Sequence, residues 1–183
     1  MVFDFFIFNF FDMDIIFNGE YTPTKATDNA AGFDLRAILN AAKYVGTCQN
    51  GDSVVINRER NFIGIETYQF IRIPPGVRLM IPTGIRMQAG ETRGLMVFFM
   101  LCLRSSIGTK RGLIMPHGVG IIDSDYTGEI MLVLYNTTNQ PARIQHGERI
   151  GQIIPIIHPN IEFIKGDIKE TARGDGGFGS TNE

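Results

Sequence analysis

The feature that most constrains this chain is the near absence of helical spacing among its apolar residues. Short strand-like runs follow one another instead, at 15–18, 53–57, 62–66, 68–73, 78–81, 95–103, 113–115, 118–122, 129–135, 142–144, 150–157 and 162–164. Gly, Pro and Asn separate them, as in Pro74-Pro75-Gly76, Pro82-Thr83-Gly84 and His146-Gly147. Many short strands with such turns predict an all-β sandwich or barrel. The 95–103 run is apolar almost throughout, as a strand buried on both faces would be. No internal repeat is present.

Length and charge narrow the class. A chain of 183 residues is long enough for one domain with a real core. Its net charge of −2 lacks the basic excess of a nucleic-acid groove. Cys48 and Cys102 form no disulfide framework or zinc spacing, which points to reduced thiols and a cytoplasmic setting. Cys102, inside VFFMLCL, is expected to be core.

The two ends differ from the middle. Residues 1–12 are rich in Phe but interrupted by Asp4 and Asp12, too short and charged for a membrane span and a poor signal peptide. They read as an upstream extension before Met13 or as one more strand, the first being preferred. From residue 166 the sequence turns polar and glycine-rich, which predicts a mobile arm. Between these lies one domain, residues 13–165.

The most distinctive stretch is 118–131, GVGIIDSDYTGEIM. Apolar arms flank a polar tip with Asp123, Asp125, Tyr126 and Gly128, the pattern of a β-hairpin. Most such tips are only turns. Arg104-Ser105-Ser106 follows the 95–103 run, and with Gly108, Lys110 and Gly112 it reads as an anion cradle at a strand end or as a polar turn. Asp34, between apolar neighbours in AAGFDLRA, is on composition alone more often a turn cap than a metal ligand. Gln152, in Arg149-Ile150-Gly151-Gln152, is open to reading as a surface amide. Gly174, Gly176 and Gly179 have the spacing of a dinucleotide fingerprint, but no strand precedes them and no helix can follow, so that reading fails. A flexible run with free N–H groups and Arg173 remains, suited to phosphate oxygens or to a disordered end.

Taken together, five segments in this order resemble the five motifs of the homotrimeric dUTPase family: AGFDLRA, RSSIGTKRG, GVGIIDSDYTGEI, ERIGQIIP and RGDGGFGSTN. The resemblance implies a distorted β jelly roll (a β-clip barrel) that assembles as a homotrimer with swapped C-terminal arms. It implies hydrolysis of dUTP to dUMP and pyrophosphate with Mg²⁺. Asp123 would be the general base on the attacking water. Tyr126 would lie against the deoxyribose, and the backbone near Gly120, Ile121 and Met131 would read uracil. Arg104, Ser105, Ser106 and Gln152 would hold phosphates, and Asp34 would reach the metal through water. Arg173 would grip the γ-phosphate, Phe178 would stack on uracil, and Gly179 and Ser180 would touch the phosphates.

Some positions depart from that family's pattern. His117 stands near the expected uracil position with no assigned role. Leu103 replaces a common Pro, and Gly151 a usual Ala. About thirty extra residues, near 41–70, exceed ordinary loop lengths and suffice for an added hairpin. Two alternatives are open. A dCTP deaminase on the same fold would need a glutamate where this chain has Val133, and a jelly-roll regulatory protein would retain the pocket without turnover.

Overall fold

The computed structural model describes residues 14–63, 66–89 and 96–174. Among these, fifteen strands and one short helix follow in order: β1 Ile15–Asn18, β2 Thr24–Lys25, β3 Phe33–Arg36, β4 Lys43–Thr47, β5 Ser53–Asn57, β6 Glu59–Ile63, β7 Glu66–Ile73, β8 Arg78–Pro82 and β9 Arg86–Ala89. Then come β10 Met96–Leu103, α1 Ser105–Arg111, β11 Leu113–Ile114, β12 Gly120–Asp123, β13 Met131–Asn136, β14 Ala142–Gln145 and β15 Arg149–His158. Every pairing is antiparallel.

Two five-stranded sheets carry the fold, ordered β12-β10-β15-β3-β2 and β11-β13-β8-β4-β5, with smaller sheets β14-β7-β6 and β1-β9 beside them. The strands alternate because one face of each sheet is apolar. Leu79 and Ile81 of β8 and Leu132 and Leu134 of β13 point inward from the second sheet. Leu35, Phe99, Leu101 and Ile153 point inward from the first. Full burial of each such side chain contributes about 1.5–3 kcal/mol. The architecture is the all-β jelly roll expected from the punctuated strand pattern.

Several local expectations change. The 95–103 run is not buried on both faces. Val97, Phe99 and Leu101 enter the core, while Phe98, Met100 and Cys102 lie half-buried on the opposite face. Cys102 is therefore not core; period-two alternation sends it outward, opposite Gln152. The 162–164 run forms no strand. The last strand among the described residues ends at His158, and Phe163 beyond it is 98% exposed. The cradle after Arg104 is a helix, closed by Gly112 in the left-handed region (φ 63°) with Lys110 and Arg111 in its last turn. The extra segment near 41–70 builds two hairpins rather than one, β4–β5 and β6–β7.

Candidate active site

The 118–131 stretch is built differently from a paired hairpin. Its incoming arm, β12, pairs with β10, Asp123 opposite Phe98 and Gly120 opposite Leu101. Its outgoing arm, β13, pairs with β8, Met131 opposite Pro82. The arms go to different sheets because each finds a partner strand with a matching apolar face. Between them opens a cavity of about 530 Å³, lined among others by Ile121, Asp123, Tyr126, Glu129 and Met131. Gly120 faces Leu101, whose Cβ would lie 3.1 Å from an added Cβ, so a side chain there would crowd Leu101 and require a small shift between the arm and β10.

The tip is a tight turn in which the Tyr126 N–H donates to the Asp123 carbonyl at 3.1 Å. Asp123 is exposed at the mouth, and so is Asp125. The Tyr126 hydroxyl donates to the Glu129 carbonyl at 3.0 Å. Its ring lies on Gly128, where even a methyl group would collide with it. Sequence reading noted Gly128 only as a turn residue. The outgoing arm is fixed from below by buried Thr83, whose hydroxyl donates to the Ile130 carbonyl at 2.6 Å. The Gly84 N–H donates to Glu129 Oε1 at 2.7 Å.

A second cluster forms around Asp34 on β3. Its side chain is 7% exposed and takes Arg104 Nε at 3.2 Å on one oxygen and Arg149 Nη1 at 3.0 Å on the other. Two guanidiniums against one carboxylate leave the cluster net positive. Gln152 sits opposite Asp34 in the ladder, with its side chain over Gly32, where an added Cβ would strike it. Ser105 and Ser106 open α1 next to Arg104, and no side chain caps that end. Sequence reading placed Arg149 in a motif but gave it no role; an arginine three residues before Gln152 on one strand was the available signal. Gly151 also has a local reason: Leu132 fills the space an alanine methyl would need.

A family model described as dUTPase matches residues 65–182, a range that holds Arg104, Asp123, Tyr126 and Gln152 and begins after Asp34. The chain belongs to the dUTPase family. It is 31% identical to a deoxyuridine 5'-triphosphate nucleotidohydrolase of Haemophilus influenzae (strain PittEE) over 163 residues, 88% of this chain and 87% of that one. It is 36% identical to the protein of that name in Pseudomonas entomophila (strain L48) over 159 residues, 86% of this chain and 84% of the other. Among solved structures, the dUTPase of Streptococcus mutans superposes with a TM-score of 0.55 at 26% identity, covering 80% of this chain and 98% of that one. The native EIAV dUTPase superposes at 0.59 and 22% identity, covering 86% and 100%, a likeness of fold.

The two clusters are far apart within one chain. Ladder registers set Asp123 level with Phe98, and Asp34 level with Cys102, three strands across. Four residues at ~3.3 Å and three strand spacings at ~4.8 Å separate the two carboxylates by about 20 Å. Both lie on the outward face of the same sheet. Between them that face is apolar, with Ile121, Met100 and Ile154 in one row.

The remaining dUTPase-motif residues divide. His117 is exposed, and its carbonyl accepts from the Val119 N–H at 3.0 Å within a turn where Gly118 takes φ 76°. Arg173 lies in an exposed turn in which the Gly174 N–H donates to the Thr171 carbonyl. Phe178, Gly179 and Ser180 lie outside the described residues. No group of three or more His, Cys, Asp or Glu side chains among the described residues forms a metal cage. No described helix is long and apolar enough to cross a membrane.

Proposed function

We propose that this chain hydrolyses dUTP to dUMP and pyrophosphate at sites built from more than one copy of itself. The observation that carries the reading is Asp123, an exposed carboxylate at the mouth of the cavity left by the diverging arms. Uracil enters between Ile121 and Met131, whose backbone groups read its edge, and Gly120 lets that arm sit close on β10. Tyr126, pinned over Gly128, lies against the deoxyribose where a 2′-hydroxyl would collide. Asp123 takes a proton from water as its oxygen bonds to the α-phosphorus, and the bond to the bridging oxygen breaks to release pyrophosphate. His117 borders the base end of this arm.

Arg104, Ser105, Ser106 and Gln152 hold the phosphates. They stand about 20 Å from Asp123 in the same chain, so they serve the Asp123 of a neighbouring copy. The apolar row between the two clusters supports such packing, and the family reading makes the assembly a homotrimer. Ile161, Phe163 and Ile164, leading into the C-terminal arm, and Ile168 within it are 65%, 98%, 84% and 94% exposed within the chain, which supports an arm lying on another copy. That arm, residues 166–183, brings Arg173 to the γ-phosphate, Phe178 to the uracil face, and Gly179 and Ser180 to the phosphates. It excludes bulk water.

The donor set fits Mg²⁺ held mainly by phosphate oxygens, because Asp34 keeps spare lone pairs for a water while both oxygens accept from arginines. When bound, the ion neutralises charge on the departing pyrophosphate. Deamination of dCTP is not favoured: Val133 offers no proton-transfer group, and Glu129 is tied to the Gly84 N–H. Pyrophosphate release from dUTP, dCTP, dTTP and UTP, with and without Mg²⁺, tests the reading. Release from dUTP alone, dependent on Mg²⁺, is expected.

A further inference from the structure

We infer that Arg86 is an additional phosphate-binding residue of the dUTP site, contributed by the same copy as Asp123; the inference rests on the hydrolase reading above. Arg86 begins β9, paired opposite Asn18, and lies outside all five motif segments. It lines the cavity shared by Asp123, Tyr126 and Glu129 and supplies the only cation on that wall among the described residues. It also borders the adjoining groove with Thr127, next to the Tyr126 tip. Its side chain is exposed and makes no hydrogen bond or ion pair with the described residues, so its donors are available to a ligand.

Charge gives the reason for a cation there. Without Arg86 the cavity presents the carboxylates of Asp123 and Glu129 and no positive group, a repulsive surface for a triphosphate. The Gly84 N–H engages only one oxygen of Glu129 and removes none of its charge. The arginines around Asp34 are too far along the sheet to offset this within one chain. A guanidinium at the tip lowers the repulsion and can bind phosphate oxygens in bidentate fashion. The tip end of the cavity, beside Tyr126, is where the sugar and α-phosphate would lie, so Arg86 discriminates by phosphate charge and not by base.

The test compares wild type, Arg86→Gln and Arg86→Lys for binding of α,β-imido-dUTP and deoxyuridine, with steady-state turnover of dUTP alongside. Arg86→Gln should weaken the imido-triphosphate about tenfold, the size of one charge-assisted hydrogen bond, and leave deoxyuridine unchanged. Arg86→Lys should recover most of the loss, and the difference should shrink at high salt. Unchanged triphosphate affinity in Arg86→Gln overturns the inference. So does an equal loss for deoxyuridine, which would mark a deformed pocket. Asp123→Asn run in parallel separates the two levels: if it turns over dUTP normally, the hydrolase site itself is wrong, whatever Arg86 does.

Discussion

Arg149 donates to Asp34 across 115 residues of sequence, Nη1 to Oδ2 at 3.0 Å, while Arg104 holds the other oxygen. The carboxylate is buried, so it needs both partners; the arginine is 43% exposed, so solvent screens part of the pair. Arg149→Gln should lower stability by about 1 kcal/mol in urea unfolding and raise KM for dUTP, with Asp34→Asn abolishing most of that difference in a double-mutant cycle. Independent, fully additive losses would show that the pair is incidental.

Tyr126 and Gly128 make a second coupled pair. Gly128→Ala should displace the ring and cut kcat/KM for dUTP by about tenfold or more, since small misplacements near reacting groups are expensive. Discrimination against UTP should fall at the same time. An alanine variant with wild-type sugar selectivity would mean that Tyr126 does not set it.

Thr83 lies beneath the site and is 1% exposed. Thr83→Val keeps the shape and removes the donor to the Ile130 carbonyl, costing about 1–2 kcal/mol of stability. Turnover should fall less than stability does, because Thr83 touches no substrate. Thermal or urea unfolding beside steady-state kinetics checks both.

The separation between clusters predicts complementation. Asp123→Asn and Arg104→Ala chains, each inactive alone, should regain activity when unfolded together and refolded, with about a quarter of sites intact for random assembly. No recovery from well-folded mixed oligomers would confine the site to one chain.

How much of this was legible beforehand follows from where each signal resides. Strands such as Ser53–Asn57 and Met131–Asn136 were readable because their alternation is local. β4 was missed because Gly46 interrupts its pattern; the glycine is there because Val77 packs against its backbone. The helix after Arg104 was missed although Lys110-Arg111-Gly112 is a helix-end signature, because seven residues show no periodicity. The diverging arms around Asp123 depend on strands 19 to 57 residues away, which no local pattern encodes. Arg149 and Gly128 act through geometry alone.

The most direct test is pyrophosphate release from dUTP by wild type and Asp123→Asn, with binding of α,β-imido-dUTP measured on both. A general base predicts wild-type binding and turnover reduced at least about a hundredfold in the variant. Turnover by Asp123→Asn at the wild-type rate would contradict the account.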